Sequence, residues 1–295
     1  MHNLSPNLRG IIYMVLAAGT FVTNDTFLKL ATEGLPPFQS LLLRGVSASL
    51  WCLPLVIATG NLRKLPMTLN GWVLVRNLSE LAAVFCFTLA LKNVALADIT
   101  AINMTSPLLL LIGCSIFFGE RLGRQRFLLI GAGFAGALLV AQPSGQGASP
   151  YLLLGFVGAI AGAGRDLAGR KVAAHIPTVV VAYATILSVM VGSGIAHILF
   201  EDWQTPTGNS WIYVAGAGLF LTFGQFFLFL SYRTGATAAV APFLYTFTVW
   251  AMISGVVVFG SLPNPLALVG IALIVASGVT VALLDDRKRR LGVTA

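Results

Sequence analysis

Charge is what this sequence has least of. Only 9% of its 295 residues are Asp, Glu, Lys or Arg, and just ten are acids, whereas soluble globular proteins carry roughly 25% charged residues. A soluble fold of this length cannot cover its surface with so few, so a water-soluble enzyme or binding domain is excluded. A disordered chain is excluded too, because disorder needs low hydrophobicity and high net charge. Cysteine is scarce: Cys52, Cys86 and Cys114 all fall in apolar runs, with no CxxC and no Cys/His cluster to imply a disulfide framework or a metal. His2, His175 and His197 have no metal-ligand spacing. Apolar residues are what remains, at 57% of the chain with a mean hydropathy of +0.88. The class left standing is a polytopic α-helical membrane protein, with the lipid bilayer as its partner.

The net charge of +8 and pI near 9.8 do not point to nucleic acid. A nucleic-acid reader shows a basic face or stripe. Here the cations stand in ones and twos between apolar runs, apart from the cluster Asp285-Asp-Arg-Lys-Arg-Arg290. Cations at the ends of apolar runs report topology instead. No cleavable signal peptide is expected, because the first apolar segment runs on through Asn24, Asp25 and Lys29 without a small-residue cleavage site.

A helix needs about 20 apolar residues to cross the bilayer core. Residues 234–284 carry no charge and divide into two spans at Gly260-Ser-Leu-Pro-Asn-Pro265; residues 127–164 divide at Gln142–Pro150. The whole chain gives ten spans, near 8–30, 37–58, 70–91, 95–118, 126–142, 150–172, 178–199, 209–232, 236–259 and 265–284. With both termini cytoplasmic, thirteen Lys and Arg fall in inner segments and only Lys29 and Lys92 in outer ones. That bias orients both ends to the inside, and the expected location is the cell's inner (plasma) membrane.

The halves align at an offset of 141 residues. Ala97 lies over Ala238, Thr105 over Thr246, Phe118 over Phe259, Gly119 over Gly260, Lys92 over Arg233 and Pro36 over Pro177. Five spans is an odd number, so the second half enters the membrane from the opposite side. Inverted repeats of this kind mark secondary transporters, whose substrate site lies near the midplane between the repeats. The expected fold is therefore all-α integral membrane, ten transmembrane helices as two inverted five-helix repeats around a central cavity. The repeats are 8–142 and 150–284, followed by a basic cytoplasmic tail, 285–295.

Ala90-Leu-Lys-Asn-Val-Ala-Leu-Ala-Asp98, Ser106-Pro107 and Gly119-Glu-Arg-Leu122 resemble the drug/metabolite transporter superfamily in its ten-helix EamA-repeat branch. Gly34-Leu-Pro-Pro37 followed by Leu43-Arg44 fits the same first-repeat pattern. The second repeat departs from it, with Gly260-Ser261-Leu262 in place of Gly-Glu-Arg and an aromatic stretch from Tyr245 to Trp250. The resemblance implies alternating access and export of small metabolites. Within the branch, the chain is similar to the YddG-type exporters of aromatic amino acids.

Some motifs carry no chemistry. Gly131-Ala-Gly133-Phe-Ala-Gly136 fits a dinucleotide fingerprint, but that motif needs a βαβ unit and an acid about 20 residues on, and it lies inside a predicted span. Small residues on a helix-packing face explain it and the GxxxG at Gly158–Gly162. No HExxH, Gly-x-Ser-x-Gly or P-loop is present. No cofactor, metal or catalytic residue is expected, nor any nucleic-acid partner.

Ionisable residues inside the bilayer each need a reason, since one at the centre costs about 2.5–3.5 kcal/mol on insertion scales. Asp25 and Lys29, four apart, read as an intrahelical pair. Glu80 lies ten residues into the third span, about 15 Å deep, with Arg76 and Asn77 on its face. That face reads either as a neutralising Arg76–Glu80 pair or as the wall of a wet cavity. Arg165 and Asp166 point about 100° apart, so only one is expected to face the cavity. The candidate substrate-binding residues are Asn77, Glu80, Asn103, Arg165, Tyr245 and Trp250. An amino acid, aromatic by preference, would set its two charges against Glu80 and Arg165 or Arg76. Organic-cation export is the alternative, and an integral-membrane enzyme a more distant one, for which no clustered acid–base or nucleophile set is found.

Overall fold

The computed structural model describes residues 4–93, 103, 105–119, 123–141, 150–260 and 265–290. Asp98, residues 120–122, the breaker at 142–149, residues 261–264 and 291–295 lie outside the described residues. Among the described residues there are no strands and ten α-helices of 13 residues or more: α1 (Pro6–Thr32), α2 (Pro37–Ala58), α3 (Gly71–Asn93), α4 (Ser106–Phe118), α5 (Arg124–Ala141), α6 (Pro150–Lys171), α7 (Thr178–Phe200), α8 (Ser210–Thr234), α9 (Thr246–Phe259) and α10 (Pro265–Arg290). Five segments, α1, α2, Gly71–Ala90 of α3, α7 and α8, are long and apolar enough to cross a membrane, and shorter apolar helices accompany them.

Proline and glycine set the helix ends. The helices α1, α2, α6 and α10 each begin on a proline, whose missing N–H would have no intrahelical partner there anyway. At α1 the Ser5 hydroxyl also accepts from the Leu8 amide at 3.1 Å. At the other end, Gly119 and Gly260 close α4 and α9 at φ 65°, a left-handed conformation that favours glycine. Their amides bond the carbonyls of Cys114 and Gly255. Glycines and acceptors alike are separated by the repeat offset of 141.

Packing obeys the same symmetry. Helix α1 packs on α8 as α6 packs on α3, and α1 meets α9 as α6 meets α4; α2 faces α7 and α5 faces α10. Exchanging the halves leaves this pattern unchanged, so ten helices form two five-helix repeats about a pseudo-two-fold axis. Close approach is bought with small residues. A Cβ on Gly136 of α5 would sit 2.6 Å from the Gly270 carbonyl oxygen of α10, and one on Gly133 would sit 2.7 Å from the Tyr245 ring. The fingerprint-like motif is thus a helix-packing face.

Three local features were not legible as spans. The ninth span is interrupted: a helical turn at Thr237–Val240 gives way to a 3-10 segment, Ala241–Tyr245, before α9. Pro242 explains the break, since it lacks an N–H and crowds the carbonyl four residues earlier. A 3-10 helix at Leu62–Leu69 fills the first connection, with Arg63 and Lys64 exposed and Leu65 packed on the α2–α7–α8 core. Helix α10 continues through Arg290, so the start of the expected tail is helical.

Side chains tie helix ends together at both ends of the bundle, across the repeats at one and within the second repeat at the other. The Glu201 carboxylate accepts the Phe38 and Gln39 amides, each at 2.9 Å, at the start of α2. Opposite, Arg233 donates to the Ile176 and Ala174 carbonyls at 3.0 and 2.5 Å. Near the latter end, Ile11, Met14, Ala17, Leu228 and Val240 seal the interior.

Candidate functional site

Four helices contribute to one buried polar network. Glu80 of α3 is 6% exposed. Its Oε2 accepts from Arg165 Nη1 of α6 at 2.8 Å, and its Oε1 from the Gln225 amide of α8 at 3.0 Å. Arg165 Nε donates to Asp166 Oδ1 at 2.7 Å, and the Tyr232 hydroxyl donates to Asp166 Oδ2 at 3.2 Å. On the other side, Arg76 donates to the Thr185 hydroxyl of α7 and to Gln225 Oε1 at 3.3 Å. Thr185 donates to Asn77 Oδ1 at 2.7 Å. Two arginines and two carboxylates give the network no net charge. Burying any one of those ions alone would be strongly unfavourable, and mutual pairing with satisfied lone pairs is what makes the set tolerable.

The glycines of α6 explain why these partners meet. A Cβ on Gly158 would come within 3.2 Å of Cys86 on α3, and one on Gly169 within 3.6 Å of Arg76 Nε. The stripe lets α3 lie close to α6, so Arg165 reaches Glu80 across the interface. The same-helix Arg76–Glu80 pair therefore does not form; Arg76 turns to α7 and α8 instead. Arg165 and Asp166 do share one network, because the long arginine side chain bends back to its neighbour.

Asn77, Glu80 and Arg165 are thus brought together in one network. Asn103 is helical and half-buried. Tyr245 lies elsewhere, fully buried among Leu110, Cys114, Ile130, Ala163 and Ile274, with its hydroxyl unpartnered. Trp250 is 37% exposed and lies against α1, where a Cβ on Gly19 would be 3.1 Å from its ring. Phe220 of α8 stacks on Phe27 of α1 at 6.0 Å and so serves helix packing here, whereas Phe223 stacks on Phe227 of its own helix at 6.3 Å. Phe223 and Phe227 also border a small apolar cavity with Cys52, Val179 and Thr222.

Two participants were not singled out from sequence. Tyr232 stands beside Arg233 at the end of α8 and reads as an interfacial aromatic. Thr185 had a usable signal: it occupies the position that Arg44 holds in the first repeat. The Asp25–Lys29 pair is also absent. Asp25 accepts from Asn24 Nδ2 at 2.8 Å, and the Lys29 ammonium lies 4.4 Å from the Phe259 ring centroid.

Comparison with known proteins bears on the whole architecture. A riboflavin transporter of Vibrio cholerae is 26% identical over 288 residues, covering 96% of each chain. The pseudopaline exporter CntI of Pseudomonas aeruginosa is 25% identical over 92% of this chain and 95% of its own. An S-adenosylmethionine uptake transporter of Rickettsia prowazekii is 24% identical over 92% of each. One crystal structure, 24% identical, superposes with a TM-score of 0.79 over 94% of this chain and 98% of that one, which shows a shared fold. The model of the EamA-like transporter family matches residues 8–142 and again 149–283, one copy per five-helix repeat. The protein is a multi-pass membrane transporter of small metabolites and belongs to the EamA-like transporter family.

Proposed function

We propose that the protein exports zwitterionic amino acids, aromatic ones by preference, by alternating access of its two repeats in the inner membrane. The observation that carries this reading is the network of Glu80, Arg165, Asp166 and Arg76, which gathers both signs of charge from facing helices of the two repeats. Binding is then partner exchange: a substrate ammonium takes up Glu80 and a substrate carboxylate takes up Arg165 as their mutual pairing loosens. Asn77 and Asn103 supply neutral polar contacts. Tyr245 and Trp250 supply the aromatic wall, the former once the packing around it opens. Aromatic pairs gain about 0.5–1.5 kcal/mol beyond area burial, which favours an aromatic side chain.

Relatives named for riboflavin, pseudopaline and S-adenosylmethionine, in both uptake and export, make substrate choice a matter of local side chains rather than of the scaffold. Counterflow in proteoliposomes tests the reading. Excess phenylalanine or tryptophan accelerates exchange of labelled phenylalanine, while a quaternary ammonium compound has little effect. If the cation alone competes, the protein moves organic cations and the acids are their counter-ions. Both termini are placed in the cytoplasm by the cationic bias, and labelling of Asp286→Cys from outside intact cells would overturn that placement.

A further inference from the structure

Helix α1 carries a stripe that changes character along its length. Ile11, Met14, Ala18 and Val22 follow one another at helical spacing and are buried. Asp25 and Lys29 continue the stripe, yet both are exposed. They do not face lipid: Leu16, nine residues before Asp25 and so on the opposite side of the helix, takes that role at 41% exposure. Asp25 therefore opens onto space inside the bundle, toward the end where α1 terminates.

The groups around that space are incompletely satisfied. Arg44 of α2 is 6% exposed, and its buried Nε has no hydrogen-bond partner. It interacts electrostatically with both Asp25 and Glu80 without forming an ion pair within 4 Å; the ion pairs between described residues are Glu80–Arg165, Arg165–Asp166 and His197–Glu201. Asn24 Oδ1 is buried and unpartnered, while its Nδ2 holds only one Asp25 oxygen. An orphaned cationic donor and an orphaned acceptor beside an accessible carboxylate are costly unless a ligand completes them. Trp250 borders α1 at Gly19, about 9 Å along the helix from Asp25.

We infer that Arg44, Asp25 and Asn24 form the head-group clasp of the substrate site, with Arg44 receiving a carboxylate and Asp25 and Asn24 Oδ1 an ammonium. The ligand class is an α-amino acid head group. The clasp rests on the amino-acid reading and adds to the exchange at Glu80–Arg165 a second set of charged contacts, nearer the end where α1 terminates.

The test uses the full chain in proteoliposomes, with labelled phenylalanine in counterflow against phenylalanine, phenylalaninamide and N-acetylphenylalanine. Wild type prefers the free acid over both analogues. Arg44→Gln weakens phenylalanine about tenfold, the scale of one charged hydrogen bond, and leaves the amide unchanged, so the preference over the amide collapses. Asp25→Asn does the same for the N-acetyl analogue. Arg44→Lys keeps a charge at this depth; it retains the preference over the amide but weakens phenylalanine, and wild-type affinity in that variant overturns the clasp even where Arg44→Gln does not accumulate. If wild type exchanges phenylalanine and Arg44→Gln keeps the acid-over-amide ratio, the clasp alone falls. If wild type exchanges no aromatic amino acid, the amino-acid reading falls and takes the clasp with it.

Discussion

Asp25 and Asp166 occupy the same position in the two repeats, 141 residues apart, and each follows a polar neighbour, Asn24 or Arg165. Their surroundings are opposite. Asp166 is buried and accepts from Arg165 and Tyr232, whereas Asp25 is exposed and accepts only from Asn24 among the described residues. Two arginines of the first repeat differ in the same sense: Arg76 donates to Thr185 and Gln225, while Arg44 Nε has no acceptor. One scaffold thus holds a closed electrostatic circuit among α3, α6, α7 and α8 and an open one between α1 and α2. Position in a repeat fixes where a polar group stands; the neighbouring helices decide whether it is finished.

Substitutions can break that contrast. The largest effect is expected from Arg165→Ala, which strands Glu80 and Asp166 and should destabilise the folded protein by about 3–5 kcal/mol; wild-type thermal unfolding in detergent would show that the circuit is not structural. Gln225→Leu removes a partner from both Glu80 and Arg76 and should lose about 1–3 kcal/mol in the same assay. Tyr232→Phe deletes one bond to Asp166, and about 0.5–1.5 kcal/mol is expected. Asp25→Asn sharpens the comparison from the other side. Its stability should stay within about 0.5 kcal/mol of wild type, since it breaks no ion pair, and a loss matching that of Arg165→Ala would abolish the distinction between the two aspartates.

Much of the fold is written in the sequence because lipid demands long apolar helices with all backbone groups satisfied internally. Uninterrupted runs such as 178–199 fix α7 almost to the residue, and Pro37 and Pro150 mark helix starts. The ninth span was harder, since Pro242 interrupts a run that hydropathy alone treats as continuous. Depth points to Glu80, but not to its pairing with Arg165: spacing four along α3 favours Arg76, and only the approach of α6 through Gly158 and Gly169 delivers the competing arginine. Tyr245 illustrates the limit of depth as a guide. It sits in a span at the expected level, yet the gap above Gly133 draws it into the core instead of the polar network.

The unequal burial of the two aspartates has a kinetic meaning. Inversion puts residue 25 toward one membrane surface and residue 166 toward the other, so under the proposed alternating access the sealed aspartate and the accessible one would report which mouth of the pathway is shut. If the two repeats trade conformations, Asp166 becomes the accessible group and Asp25 the enclosed one, with no new secondary structure. A reporter at each position would then brighten and dim in antiphase during turnover, at the frequency of the transport cycle itself.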